Sequence, residues 1–347
     1  MPTEFSLRQM EERLVRYGDL RPCTTAFIDA RTPGSDRKEN FTIIGPGVAE
    51  NPEQHVHITL RHGFNIGGAR QPPGCVNSQH SHDTAEVFVI HTGTWRFKTG
   101  PEGTDGHVDL NPGDTISIPA HAFRGFENVG QDVGFMFAVL GGDDPGRVTW
   151  APYVFDAADR HGIVLLESGR LIDTTKEPMP VGAVRMRPTT AADLVKFDRY
   201  DSAAIARCTV KASTLAPSGG LSAFAGFEEC PIVGGANAAE HVPAAPISWV
   251  HGFQVRALRI APGARSPAHV REEEEVLLVH AGRPVIEWNG GTLTLSAGDT
   301  LTVPPGLPRI MANTGEEVAA LYIVRGGDHP AAARVVPTLA IATEGLR

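Results

Sequence analysis

The stretch that decides the fold is Gln79–Gly93, "QHSHDTAEVFVIHTG". His80 and His82 stand two apart, Glu86 follows, and an apolar run closes at Gly93. Side chains alternate along a strand, so His80, His82 and Glu86 share one side. A straight strand would still carry Glu86 ~13 Å past His82 at ~3.3 Å per residue, whereas metal–ligand bonds are only ~2 Å long. If the three share an ion, the chain must fold back near Asp83-Thr84-Ala85. A hairpin that brings Glu86 in from the neighbouring strand is the expected form.

The same pattern returns later in the chain. "HGFNIGGARQPPG" from His62 recurs 189 positions on as "HGFQVRALRIAPG" from His251. That shift carries His80 to His269, Glu86 to Glu275 and Gly93 to Gly282. Further on, "NPGDTISIPAHAFRGFENVG" answers to "SAGDTLTVPPGLPRIMANTG" with a shift of 185, so the second copy is four residues shorter. Internal repetition at a fixed period means one architecture used twice. Segments such as "AEVFVIH", "DTISIPA" and "VGFMFAVL" are short, rich in β-branched and aromatic residues, and bounded by glycine or proline, which reads as antiparallel strands of a sandwich or barrel. Helix is sparse. "SLRQMEERLVRY" opens on a capping box, Ser6 with Gln9, and keeps helical period to Tyr17; "TTAADLVKF" is a second, shorter helix. The expected division is a helical lead segment 1–50, a first barrel 51–146, a linker 147–190 and a second barrel 191–347.

Composition narrows the function. Of 347 residues, 41% are hydrophobic, enough for two substantial cores. The net charge of -9, with no basic block, argues against nucleic acid and against an anionic membrane surface. No stretch approaches the ~18 apolar residues that span a bilayer, and the first residues lack the apolar core of a signal peptide. The four cysteines, Cys23, Cys75, Cys208 and Cys230, are scattered without CxxC. A soluble cytoplasmic protein with free thiols is expected. Homo-oligomers are compatible with such a chain.

The residues now carry a resemblance. "HSHDTAEVFVIHTG" resembles the first cupin motif, H-x-H-x3-E-x6-G, and "GDTISIPAHAFRGFEN" the second, G-x5-P-x-G-x2-H-x3-N. With its duplicate the chain resembles a bicupin: all-β, tandem double-stranded β-helix (jelly-roll) barrels with a short N-terminal helix. In length, lead helix and one working barrel out of two it looks most like gentisate 1,2-dioxygenases, which open hydroxylated aromatic carboxylates with iron. The departures are informative. Arg124 stands at the position of the family's fourth ligand, and His121 replaces the motif's glycine. In the second copy Arg271 and Arg309 take the places of two histidines. Arginine stays protonated and cannot ligate a cation. The first barrel thus offers His80, His82 and Glu86, similar to the facial triad of non-haem iron oxygenases. The second is expected to use Arg271, Arg309 and Glu275 as a salt-bridge cluster.

The resemblance implies one divalent ion, Fe(II) first, with Mn, Ni or Zn as alternatives. It also implies a small anionic substrate. From its charge Arg124 is expected either to clamp a substrate carboxylate or to form a structural ion pair with Glu127 or Asp83, and His121 is a second catalytic candidate. Two rivals stand beside the ring-cleaving dioxygenase. One is a metal-dependent isomerase or lyase that consumes no oxygen, and the other a degenerate bicupin that binds a small anion.

Overall fold

The computed structural model describes residues 5–337. It is built of strands, grouped in two compact units. One unit comprises residues 21–212; the other comprises residues 213 onward together with the first twenty. These borders cut across those expected at 50, 146 and 190. Glu39–Ile44 is a full strand of the first barrel, and Thr209–Val210 pairs with its strand Thr115–Ile118.

In the first unit a seven-stranded sheet runs, edge to edge, Thr209–Val210, Thr115–Ile118, Glu86–Thr92, Gly134–Gly141, Phe64–Gln71, Glu39–Ile44, Val56–Ile58. A five-stranded sheet runs Val148–Trp150, Val76–His82, Arg124–Asn128, Trp95–Thr99, Gly106–Leu110. Phe88 and Met136 from the larger sheet meet Phe97 and Phe126 from the smaller one in a shared core. The rings of Phe88 and Phe97 lie 5.1 Å apart, and that of Phe126 sits 5.5 Å from each. Burying each such ring stabilises the barrel by roughly 1.5–3 kcal/mol.

The histidine strand Val76–His82 and the glutamate strand Glu86–Thr92 are not a hairpin. They belong to different sheets, and the turn at Asp83–Ala85 passes the chain from one to the other. The length of a metal–ligand bond against the reach of a straight strand demanded the turn but could not say which sheet the next strand would join.

In the second unit a six-stranded sheet, including Phe253–Ile260, Glu275–Ala281 and Ala319–Gly326, shares its core with a three-stranded sheet through Leu258, Leu277, Ile286, Trp288 and Met311. The Ser6 capping box is present, but its helix is only Leu7–Glu11. Leu14–Val15 instead pairs with Leu301 and Thr300 at the sheet edge. A ready edge strand outcompetes a helical period carried by a few residues. The segment expected as linker holds the strand Val148–Trp150, the helix Pro152–Arg160 with proline at its start, and the paired strands Ile163–Leu165 and Leu171–Asp173. Among the described residues no helix is long and apolar enough to cross a membrane.

Candidate metal centre

His80, His82 and Glu86 converge. One ligand atom from each lies within 4.8 Å of the others, and all three residues are buried. His82 Nε2 is 3.6 Å from Glu86 Oε2. The two imidazoles stand nearly perpendicular, 5.1 Å between centroids, and Trp150 packs on His80 at 5.2 Å. His80 Nδ1 lies 2.7 Å from the Ser78 carbonyl. A carbonyl only accepts, so Nδ1 carries the hydrogen and Nε2 keeps the lone pair a metal needs. Burial first, then the Arg124 charge, holds both histidines well below their ordinary pKa. They are neutral, the form that ligates.

Arg124 is placed by a local irregularity. The pairing of Arg124–Asn128 with Val76–His82 shifts register between Arg124 and Phe126. Gly125 occupies the irregular position because a Cβ there would meet Gln79 Oε1 at 1.8 Å and Asn77 O at 2.7 Å. The guanidinium is fully buried and ion-paired through Nη2 to Glu86 Oε2. Its Nη1 reaches the His80 carbonyl at 3.4 Å, and its Nε has no partner. Burial pushes the Glu86 carboxyl up and the Arg124 guanidinium down, and their contact opposes both shifts.

His121 is not brought in. It sits on a turn with φ 60°, its side chain 56% exposed, 3.9 Å from Asp83 and edge-on to Phe197. The expectation that it is catalytic gains no support from this placement, which is on the surface beside Asp83 and Phe197. The motif's glycine leaves a left-handed turn at this place, and a histidine there points to solvent.

A cavity of about 70 Å³ adjoins the triad, with Phe41, Ile66, Phe88, Phe126, Leu140 and Trp150 among its walls. Arg124 is not part of its lining. Several groups here escaped the sequence reading. Lys38, fully buried, pairs with Asp29 and donates to Asn77 Oδ1 at 2.9 Å. Asp29 also accepts the Ser78 N–H at 3.1 Å. Glu50 accepts from Trp150 Nε1 at 2.7 Å and from the Ile28 N–H at 2.8 Å. Burial pushes its carboxyl up to about 8, so it is protonated near neutrality. Lys38 and Asp29 lie nine residues apart and some forty before the motif, so no spacing rule could reach them. Asn77, three residues before His80, was close enough to notice, but its residue type carries no signal alone.

The donor set fits a divalent ion: two neutral imidazoles and one carboxylate, buried and convergent, with room beside them. The second barrel holds a different set. Glu275 is bound by Arg309 Nη2 at 2.6 Å and by Arg325 Nε at 2.8 Å, with Arg271 Nε at 3.2 Å. Burial alone would raise Glu275, but Arg309, Arg325 and Arg271 together hold it well below the usual carboxylate range. The expected cluster of Arg271, Arg309 and Glu275 is present, enlarged by Arg256, Arg325, Glu229 and Glu240.

Two jelly rolls in one chain make the bicupin fold. The Cupin domain family matches twice, at residues 69–140 and 257–325. Among solved structures the chain is similar to the oxalate decarboxylase of Lactobacillus farciminis in its formate complex, with a TM-score of 0.55 at 14% identity over 93% of this chain and 88% of that one. It is also similar to the oxalate decarboxylase of Bacillus subtilis at pH 4.6, with a TM-score of 0.55 at 14% identity over 96% and 79%. At such identity the likeness is one of fold. No curated protein sequence matches the chain. The expected closeness to gentisate dioxygenases gains no support from these comparisons.

Proposed function

We propose that the first barrel is a mononuclear metal centre, with His80, His82 and Glu86 as its ligands, in a metalloenzyme acting on a small carboxylate. The observation that carries this reading is the buried convergence of two neutral imidazoles and a carboxylate beside a cavity. Fe(II), Mn, Ni and Zn all accept this donor set. A bound divalent ion would supply Lewis-acid polarisation of a carboxylate or carbonyl oxygen.

Charge supports an anionic substrate. Without an ion, Glu86 balances Arg124, Asp29 balances Lys38, and Glu50 is neutral. A divalent ion adds about two positive charges that nothing in the barrel cancels, so anion affinity comes with the ion. Size supports a small one. At ~10–15 Å³ per water, about 70 Å³ holds roughly five waters, short of a substituted ring in the present geometry. Cleavage of a small carboxylate, as the names of the two decarboxylases above suggest, is therefore favoured over ring opening. The aromatic wall of Phe88, Phe126 and Trp150 favours the ring-cleaving dioxygenase as a second reading.

The role of Arg124 in this reading is to hold Glu86 rather than to anchor substrate. Elemental analysis of protein prepared without chelator should find one transition metal per chain, lost in His82→Ala; equal metal in both proteins would refute the centre. Carbon dioxide release without oxygen uptake across small keto and dicarboxylic acids separates the lyase from the oxygenase.

A further inference from the structure

If Arg124 is committed to Glu86, something else must meet the substrate. The cavity's other polar walls are amides and a threonine. Thr42 takes the Gln54 amide. Asn65 is spent on Gly142 O at 2.7 Å and on the Gly47 N–H at 3.0 Å. Asn40 and Asn77 remain. Asn40 is 7% exposed and its Nδ2 has no partner. Asn77 is 4% exposed and its sense is fixed, because the Lys38 ammonium can only donate and therefore meets Oδ1. Its Nδ2 is thereby turned toward His80 Nδ1, 3.3 Å away. That nitrogen already carries the hydrogen it donates to Ser78, as ligation through Nε2 requires. Two donors face each other, and the Asn77 amide has no acceptor among the described residues.

A buried donor without a partner costs ~1–3 kcal/mol and calls for an explanation. Here two such donors line one cavity beside the ligand histidines. We propose that Asn40 and Asn77 are the substrate-binding groups of this site, donating to the oxygens of a carboxylate, and that the buried Lys38–Asp29 pair is the positioning device that keeps Asn77 a donor. The inference rests on the metal-centre reading, since the ion fixes the His80 tautomer and supplies the charge that draws the anion. It makes the site selective for acceptor-only ligands. Carboxylates bind; amines and ammonium compounds of the same size do not.

The test uses the full chain loaded with Mn(II) and titrated calorimetrically with formate, acetate and oxalate, with metal content measured in parallel. Asn77→Asp and Asn40→Asp keep the size but replace a donor with an acceptor. Each should weaken the tightest-binding anion at least tenfold and leave metal stoichiometry at one. Lys38→Met should weaken it about threefold in the wild-type background and not at all in Asn77→Asp, a non-additivity that a general loss of structure would not produce. Should one Asp variant fail to fold, the other decides. A wild type that takes up no metal overturns the centre and this inference with it. A metal-loaded wild type that binds none of the three anions overturns the acceptor selectivity. Metal uptake with anion affinity changed less than twofold in the Asp variants overturns the inference alone.

Discussion

The two barrels repeat one design and fill it in opposite ways. Gly67, His82 and Leu140 adjoin the cavity of the first; Arg256, Arg271 and Arg325 stand at the matching places in the second. Asn40, opposite Ala69, corresponds to Glu229, opposite Leu258. Arg124 and Arg309 are the common element, and each binds the motif glutamate, Glu86 or Glu275. In the second barrel further guanidinium groups crowd round the motif glutamate, and carboxylates compensate them. In the first barrel the small residues leave room, and the histidines keep their lone pairs. The difference shows what a duplicated fold needs to gain or lose a metal site: not new backbone, but the volume and charge of four side chains.

The sharpest way to break that contrast is to write one barrel's residue into the other. His82→Arg imports Arg271. It removes one ligand and adds a fixed charge where a cation would sit, so metal content should fall from one per chain to none. Plasma emission analysis of both proteins after identical dialysis checks this. Retention of the ion would place it elsewhere.

Next in size is the reverse exchange, Arg325→Leu, which imports Leu140. Arg325 is fully buried and binds Glu275 at 2.8 Å and Glu229 at 3.0 Å. Removing it leaves three arginines against Glu229, Glu240 and Glu275, a balanced count, but takes a donor from both Glu275 and Glu229, at a cost of ~3–5 kcal/mol. The triple change Arg256→Gly, Arg325→Leu, Glu229→Asn leaves Arg271 and Arg309 against Glu240 and Glu275, also balanced, with Glu275 and Glu240 each one donor short and the volume of Arg256 lost as well. It should therefore cost more than the single change, and denaturant midpoints of the two variants decide. A triple variant as stable as the single one would show that volume does not govern this core.

These residues also mark where sequence reading stops. Repetition at a fixed shift revealed two barrels, and H-x-H-x3-E revealed the triad, because both are periodic signals along the chain. Arg271, Arg309 and Glu275 could be read as a cluster because they fall on the motif. Arg256, Arg325 and Glu229 could not, since they come together only through strand pairing across the sheet, and Glu240 joins them from a short 3-10 turn. Asn40, Lys38 and Asp29 reach the site from a distant strand and the loops before it, which no spacing along the chain reveals, and Asn77 carries no signal by residue type. Arg124 was read at the right place, as a substrate clamp or an ion pair with Glu127 or Asp83; the ion pair it makes is with Glu86, 38 residues away and on the other sheet.

A third test uses protons. Burial first, then Arg309, lowers His269 to about 4, with Glu275 opposing. The folded protein keeps it neutral, while the unfolded chain binds a proton below ~6.5. The unfolded state therefore gains protons first as pH falls, and stability drops between pH ~6.5 and 4 by up to about 3 kcal/mol from this residue. His80 and His82, also held low, act in the same direction when no ion is bound. Glu240, held at about 2, adds its own loss only as pH falls below its ordinary value. His269→Gln should flatten the pH dependence of the unfolding midpoint in that window, and an unchanged slope would reject a buried neutral His269.

The smallest effect concerns the residue the barrels share. Arg124→His would place an imidazole where the cupin pattern has its fourth ligand. Two consequences oppose each other. The ion gains a donor and loses a neighbouring positive charge, which tightens binding. Glu86, however, loses the guanidinium that compensates it in the absence of metal. In wild type Arg124 compensates Glu86 when no ion is bound; in the variant only the ion can neutralise Glu86. Metal affinity should therefore rise by about tenfold, worth ~1.4 kcal/mol. The thermal midpoint of the metal-free variant should lie below that of metal-free wild type and recover on addition of metal. Chelator competition and paired melts with and without Mn(II) read the two consequences separately. Tighter binding without the metal-free penalty would mean that Glu86 is protonated when no ion is present, as its upward shift from burial allows. An affinity unchanged by the substitution would mean that the new imidazole does not reach the ion, and that Arg124 had been holding Glu86 and nothing more.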